Sequence, residues 1–299
     1  MKNLTIKHLR YFEALARYQH FGRAADACAI SQPALSLQIK DLERILGAPL
    51  IERSARRIHP TTFGLEFLDR ARHIISAFDD LADLARTSKS DLQGTLNIGI
   101  IPTIAPYLLP KLIKTVRARF PGLDLYPREA ITQTLISDLL ESKLDLAIVA
   151  LPISEPTLQE FALFKEDFVF VRPAADAHLP VPSPSNLKEM RLLLLEEGHC
   201  FRDQALAFCS ADQMRPRDIM EGSSLSTIVQ MVGAGLGVTL IPEMAVAYET
   251  LRAEVSIARF DRAKPARTVG MVWRKTTPLS KQLMDIGAAV RSVGTTATG

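Results

Sequence analysis

Two cysteines nine residues apart, Cys200 and Cys209, bracket the segment CFRDQALAFC in a chain of 299 residues that holds only three. The thiolate, not the thiol, is the nucleophile. Cys200 is predicted to open a helix over 201–210, beside His199 and near Arg202, where the helix dipole and the cations favour the thiolate. A plainer reading stands beside this one, because most free cysteines are small, buried and inert. Geometry limits what the pair could do if both react. Nine steps along a helix separate the Cα atoms by ~13 Å and place them on opposite faces, whereas a disulfide needs about 7 Å or less. A helix joining them cannot survive bonding, so oxidation would unwind it and repack Phe201, Leu206, Ala207 and Phe208. Such a pair is a chemically triggered conformational switch. The third cysteine, Cys28, lies among Ala24, Ala25 and Ala29 and reads as core packing.

The elements that carry these residues follow from composition and periodicity. With 47% apolar and 23% charged residues, the chain is an ordinary globular one of two or more domains. Net charge is only +3, but residues 1–60 hold ten Lys/Arg against five Asp/Glu. The basic charge is therefore concentrated at one end. Three cysteines exclude a disulfide scaffold, and the amphipathic opening MKNLTIKHLRYFEAL reads as a helix rather than a secretory leader, so a reducing, cytoplasmic setting is expected. The longest uncharged stretch, Gly222 to Pro242, is broken by Ser, Thr, Gln and Gly and reads as helix, turn and buried strand rather than a membrane span.

Apolar residues at three- and four-residue spacing predict a helix from Ile6 to Tyr18, and a short one follows over Phe21 to Ala27. Ser31 can cap a third helix with Pro33 in its first turn, running to Leu46, and Gly47 stops it. Pro49 to Pro60 reads as an extended hairpin, and a long helix with a one-sided apolar stripe covers Phe63 to Ser88. A helix of that kind pairs with a copy of itself. Three short helices and a basic hairpin make a winged helix-turn-helix over residues 1–61, with the motif at about 21–40. Gln32, Ser36 and Gln38 are the short polar groups that could read base edges, and Arg53, Arg56 and Arg57 are the cations for phosphates. A small helical bundle with a solvated basic face is the competing reading.

After a polar linker the pattern alternates, with strands over Thr95 to Ile101, Leu123 to Arg128, Leu144 to Ala150, Phe168 to Arg172, Leu192 to Leu195, Val238 to Ile241 and Thr268 to Trp273. Helical stretches lie between them, which predicts an α/β half. No His/Cys cluster has zinc spacing and no glycine loop has the phosphate-binding pattern, so neither a metal nor a cofactor is expected.

The run FGRAADACAISQPALSLQIKDLERILGAPLIERSARRIHPTTFG resembles the N-terminal domain of LysR-type transcriptional regulators almost position for position, and the resemblance extends over the whole chain. One departure is Leu37, where many members carry a polar or basic residue. The resemblance implies a DNA-binding domain (1–61, with Gln32, Pro33, Ser36, Gln38, Arg53, Arg56 and Arg57 at the DNA) and a linker and dimerisation helix (62–90). It also implies a regulatory domain (91–299) built, like periplasmic solute-binding proteins, from subdomain I (about 91–168 and 268–299) and subdomain II (about 169–267).

The segment GHCFRDQALAFC together with IPTIAPYLLP (101–110) resembles the peroxide-sensing branch of that family. Membership there implies that Cys200 reacts with hydrogen peroxide to form a sulfenic acid and that Cys209 resolves it to an intramolecular disulfide. It also implies that Thr103, Thr132, His199, Arg202, Asp203 and Arg267 surround or support the peroxide pocket. Plainer roles exist for several of these: an N-cap for Thr103, surface ion pairs for Asp203 and Arg267. The implied partners are promoter DNA, a second copy in a homodimer or homotetramer, RNA polymerase, peroxide as the signal, and a glutaredoxin- or thioredoxin-type reductant. The function implied is a transcriptional activator of antioxidant genes, not an enzyme. Two competitors remain: a regulator of the same family answering to a small organic effector in its cleft, and a thiol peroxidase.

Overall fold

A computed structural model of the protein describes residues 4–53, 58–87, 93–209, 218–261 and 264–294. The chain divides into two compact units, Met1–Ala85 and Arg86–Gly299.

The first unit contains α1 (Ile6–Tyr18), α2 (Phe21–Ala27), α3 (Gln32–Leu46), the hairpin β1 (Ile51–Arg53) and β2 (Ile58–Pro60), and α4 (Thr62–Thr87). Each predicted boundary has a local cause. Thr5 caps α1 reciprocally with His8, Ser31 accepts from the Ala34 N–H at 3.4 Å, and Gly47 ends α3 in the left-handed region at φ 71°. Phe12, Leu15, Leu35, Ile39 and Leu42 are fully buried where the three helices meet. The Glu43 carboxylate accepts from the N–H groups of Leu50 and Ile51 and so ties the hairpin to α3.

At the entry to α4, the Thr61 hydroxyl donates to the Pro49 carbonyl and accepts from the Gly64 N–H, both at 2.9 Å. A Cβ on Gly64 would stand 2.2 Å from the Leu50 carbonyl oxygen. Gly64→Ala is therefore expected to destabilise this unit by about 2 kcal/mol, read as a lower melting transition of the full chain. An unchanged transition would mean that the α4 entry is not held this tightly.

The second unit runs β3 (Gly94–Ile100), α5 (Ala105–Arg119), β4 (Leu123–Glu129), α6 (Thr132–Leu140), β5 (Leu146–Leu151), β6 (Leu158–Pro173), α7 (Pro184–Leu187), β7 (Arg191–Leu195) and α8 (Cys200–Cys209). It continues with β8 (Asp218–Gly222), α9 (Leu225–Gly233), β9 (Thr239–Pro242), α10 (Val246–Glu249), β10 (Val255–Ala258), β11 (Ala266–Arg274) and α11 (Ser280–Gly294). Its main sheet has the order β10-β6-β11-β5-β3-β4, with β9 also on β6. β3 lies parallel to both β4 and β5, and β7 and β8 form a separate parallel pair.

β6 is the spine of this unit. Residues from Leu158 to Asp167 pair antiparallel with β11, whereas from Phe168 onward β6 pairs with β9 and β10. The sequence pattern locates only the second half of β6, because Lys165, Glu166 and Asp167 make the first half look like a loop. Lys165 is exposed, but Glu166 is wholly buried, as a partnered charge can be. The short strands β8 and β10 also escape the pattern.

The start of α5 is fastened across the unit to α10 and α9. The Tyr107 hydroxyl donates to the Glu249 carboxylate at 2.6 Å, and the Ser226 hydroxyl donates to its other oxygen. Burial first, then the Glu249 bond and charge, push the Tyr107 phenol upward. A raised phenol means that its contribution to stability is complete below the ordinary value of about 10 and declines as pH rises above it. Tyr107→Phe should remove that part of the alkaline loss, measurable as a shallower fall in melting temperature above pH 10. No helix among the described residues is long and apolar enough to cross a membrane.

Candidate functional site

Residues from four segments meet at Cys200. β7, with Leu192 to Leu195 buried, delivers the chain to a turn in which Gly198 has φ 94° and a Cβ would lie 3.1 Å from Ile131. This is a place for glycine. α8 starts at once with Cys200, so the thiol sits on the first turn, where backbone N–H groups lack helical acceptors. Around it lies a closely packed pocket, too tight in this structure to admit a water molecule, lined by Ile101, Pro102, Thr103, Ile131, Thr132, His199, Cys200 and Phe201.

The two threonines differ in their commitments. Thr103 is not an N-cap: α5 begins after Ile104 without any side-chain cap. Instead the Thr103 Oγ1 accepts from Arg267 Nη1 at 2.7 Å, and its carbonyl accepts from Nη2 at 2.9 Å. With a lone pair so used, the Thr103 hydroxyl proton is free to be donated elsewhere. Thr132 Oγ1 is buried and has no hydrogen-bond partner, which is unusual for a buried hydroxyl. One oriented donor and one unused hydroxyl on this lining match the hydrogen-bonding needs of a small polar molecule.

Arg267 is not a surface residue. It is 3% exposed and lies directly across the β6–β11 ladder from Glu166, whose carboxylate accepts from Arg267 Nε at 2.7 Å and from the Met244 N–H at 3.0 Å. Its guanidinium carbon stands 5.8 Å from the centre of the Phe201 ring. Arg202, two residues from the thiol in sequence, has its charge engaged by other groups. It donates to the Leu195 carbonyl and pairs with Glu221 at 2.8 Å, because β8 runs alongside β7 and presents that carboxylate to the start of α8. Among the described residues Asp203 bonds to neither His199 nor Arg202. It is exposed and, with Thr132, Cys200 and Gln204, lines a second, wider cavity of about 570 Å³.

α8 is held by aromatic contacts near both ends, Phe201 against Phe168 at 4.7 Å and Phe208 against Phe260 at 5.1 Å. Cys209 ends this helix, and its side chain lies outside the described ones. Cys28 is a different kind of thiol: burial, then the Glu13 charge, push it upward, away from thiolate reactivity. Glu166 and Glu221 are the site residues that sequence reasoning missed, since only the strand registers bring them near.

In the first unit, Gln32 and Pro33 at the start of α3 are exposed, and Ser36 and Gln38 are half-buried on the same helix. Leu37 between them is 65% exposed. The side chain of Arg53, and Arg56 and Arg57 altogether, lie outside the described residues. Among the described residues no group of His, Cys, Asp and Glu could hold a metal ion.

A helix-turn-helix unit with a basic hairpin, followed by a two-lobed α/β unit that holds a thiol in a small pocket, defines a DNA-binding regulator with a sensor half. Residues 6–65 match the bacterial regulatory helix-turn-helix protein, lysR family, and residues 89–294 match the LysR substrate binding domain. The chain belongs to the LysR family of transcriptional regulators and is not an enzyme.

It is 38% identical over 293 residues to the DNA-binding transcriptional dual regulator OxyR of Escherichia coli K12, covering 97% of this chain and 95% of that protein. A probable hydrogen peroxide-inducible genes activator of Mycobacterium avium is 38% identical over 279 residues, or 91% of this chain and 89% of that one. Full-length OxyR of Pseudomonas aeruginosa bearing a cysteine-to-aspartate change superposes with a TM-score of 0.77 at 35% identity, over 97% of this chain and 95% of that one. An H2O2-bound cysteine-to-serine mutant of Corynebacterium glutamicum OxyR does so with 0.68 at 33% identity, over 99% and 94%.

Proposed function

We propose that this protein is a hydrogen-peroxide-sensing transcriptional activator of antioxidant genes, switched by a disulfide between Cys200 and Cys209. The observation that carries the reading is the lining that Cys200 shares with an Arg267-bonded Thr103 hydroxyl and the unpartnered Thr132 hydroxyl. Peroxide is small, uncharged, and both donates and accepts hydrogen bonds, which matches those two groups.

In the reaction the Cys200 thiolate attacks one peroxide oxygen. The S–O bond forms as O–O breaks, and the departing hydroxide takes up the proton lost from the thiol and leaves as water. Thr103 and Thr132 hold the oxygens in line, and His199 stabilises the developing charge. The Cys209 thiol then attacks the sulfenic acid sulfur and releases a second water, leaving the disulfide. A dithiol reductant of the glutaredoxin or thioredoxin class resets it by exchange. Thr103→Val keeps the shape and removes the donor, so peroxide oxidation of Cys200 should slow roughly a hundredfold, measured by peptide mass after short exposures. A rate within twofold of the parent would remove Thr103 from the mechanism.

The first unit fits promoter DNA, with Gln32, Pro33, Ser36, Gln38 and Leu37 on α3 facing the major groove and Arg53, Arg56 and Arg57 contacting phosphates. Leu37 suits apolar contact with a thymine methyl. Arg53→Ala should weaken binding to operator DNA in both redox states and lower the salt slope by about one, read by anisotropy titration at two or more salt concentrations. Weakening of the oxidised complex alone would exclude a general phosphate contact.

Phe63, Ile74, Phe78 and Leu81 are exposed at spacings that put them on one face of α4, which supports pairing with a second copy within a homotetramer. Residues 1–61, 62–90 and 91–299 then serve as DNA-binding domain, dimerisation helix and sensor, the last dividing near residues 168 and 267. RNA polymerase is the downstream partner, and the cytoplasm, where thiols stay reduced, is the setting. The wider cavity beside Asp203 and Gln204 favours one competing reading, a small organic effector. Retention of the transcriptional response in Cys200→Ser would select that reading instead.

A further inference from the structure

We infer that Glu166 is a positioning residue of the sensor: it cancels the charge of Arg267 and holds the arginine fork so that Thr103 presents its hydroxyl proton to the Cys200 pocket. This rests on the reading of Cys200 as the reactive thiol. Glu166 is 0% exposed and Arg267 is 3% exposed, so the pair sits in a medium where an uncompensated charge acts at long reach. Glu166 spends one oxygen on Arg267 Nε and the other on the Met244 N–H, which leaves it no freedom to turn. The remaining two arms of the fork both end on Thr103. One carboxylate thus fixes the arginine, the arginine fixes the Thr103 side chain, and Thr103 lines the pocket it shares with Cys200.

Charge balance follows from the same contacts. Arg267 lies against Phe201, the residue after Cys200, and without Glu166 it would place a bare buried cation near the thiol. Of the other ionisable groups around Cys200, Arg202 is already paired with Glu221. His199 lines the thiol pocket and Asp203 the wider cavity, and both stay unchanged in the variants below. Glu166 therefore sets the balance between a thiolate that is too readily formed and a donor that is correctly aimed. A carboxylate whose only task was to hold β6 on β11 would move stability but not the titration of a thiol.

The test measures alkylation of Cys200 by iodoacetamide across pH in the full-length reduced protein, with peptide mass as readout, for E166Q, R267Q and the double variant. The midpoint of the rate should fall by on the order of one pH unit in E166Q, rise similarly in R267Q, and return close to the parent in E166Q/R267Q. Peroxide oxidation of Cys200, taken above each midpoint, should slow about tenfold or more in all three, because Thr103 is no longer held. E166Q leaves a buried cation alone and can fail to fold; the comparison of R267Q with the double variant then decides, since only the second removes Glu166. Coincident midpoints for those two, or an unmoved midpoint in folded E166Q, would overturn the inference. If the midpoints shift as expected while peroxide leaves Cys200 unoxidised even in the parent, the peroxide-sensing reading falls and the positioning role stands.

Discussion

Cys200→Ser is expected to eliminate peroxide-dependent oxidation of the sensor unit, whereas Cys209→Ser is expected to stop it halfway, at a sulfenic acid on Cys200. The difference follows from placement. Cys200 occupies the first turn of α8 inside a pocket with two threonine hydroxyls and His199, while Cys209 stands at the other end of the same helix. Serine keeps the size of cysteine but cannot form the S–O bond, so folding and DNA binding should persist while the switch is lost. Cys28 offers no substitute, because its thiol is pushed upward by burial and by Glu13 and a raised thiol is a poor nucleophile at neutral pH. Intact mass and peptide mapping after brief exposure to stoichiometric peroxide distinguish the outcomes. A loss of two hydrogen atoms at Cys200 and Cys209 in the parent, none in Cys200→Ser and one added oxygen in Cys209→Ser are expected. Equal oxidation of all three cysteines would reduce the pair to bystanders.

Oxidation should also melt α8. A disulfide cannot join two Cα atoms ~13 Å apart on opposite helix faces, so the Cys200–Cys209 bond and the ten-residue helix exclude each other. Unwinding must carry Phe201 away from Phe168 or Phe208 away from Phe260, or both. Freeing the buried Phe201 costs about 1.5 to 3 kcal/mol unless it is reburied, and the half-buried Phe208 adds to that. The oxidised form is therefore a different packing of this lobe, not a local adjustment. Arg202–Glu221, which ties the first turn of α8 to β8, is expected to break or re-form along with it, and that carries the change toward the β7–β8 pair. Amide hydrogen exchange across residues 201–208 should rise from protected to near-random-coil rates on oxidation and recover on reduction. An oxidised protein with a proven Cys200–Cys209 bond and full protection of that segment would defeat the geometric argument.

Much of this architecture was legible in the residues themselves. The helices at Ile6–Tyr18 and Phe21–Ala27, the Ser31 cap and the Gly47 stop rest on interactions within a few residues, and periodicity and capping encode such interactions directly. The cysteine spacing is of the same kind, because a helix has a fixed rise and a fixed turn. The family resemblance supplied Thr103, Thr132 and Arg267, but not how they are connected.

That connection is decided by strand register. Glu166 meets Arg267 because β6 and β11 pair with those residues opposite one another, 101 positions apart in the chain, and no local signal sets that register. For the same reason the first half of β6 looked like a loop, with its charged residues hiding a buried ion pair. Arg202, adjacent to the thiol in sequence, is taken by Glu221, since a parallel strand places an acid within reach. Local spacing therefore determined the helices and the limits on the disulfide. Only the tertiary fold decided which charges are cancelled, which hydroxyl is bonded and which is left open, because those depend on pairings between segments far apart in the chain.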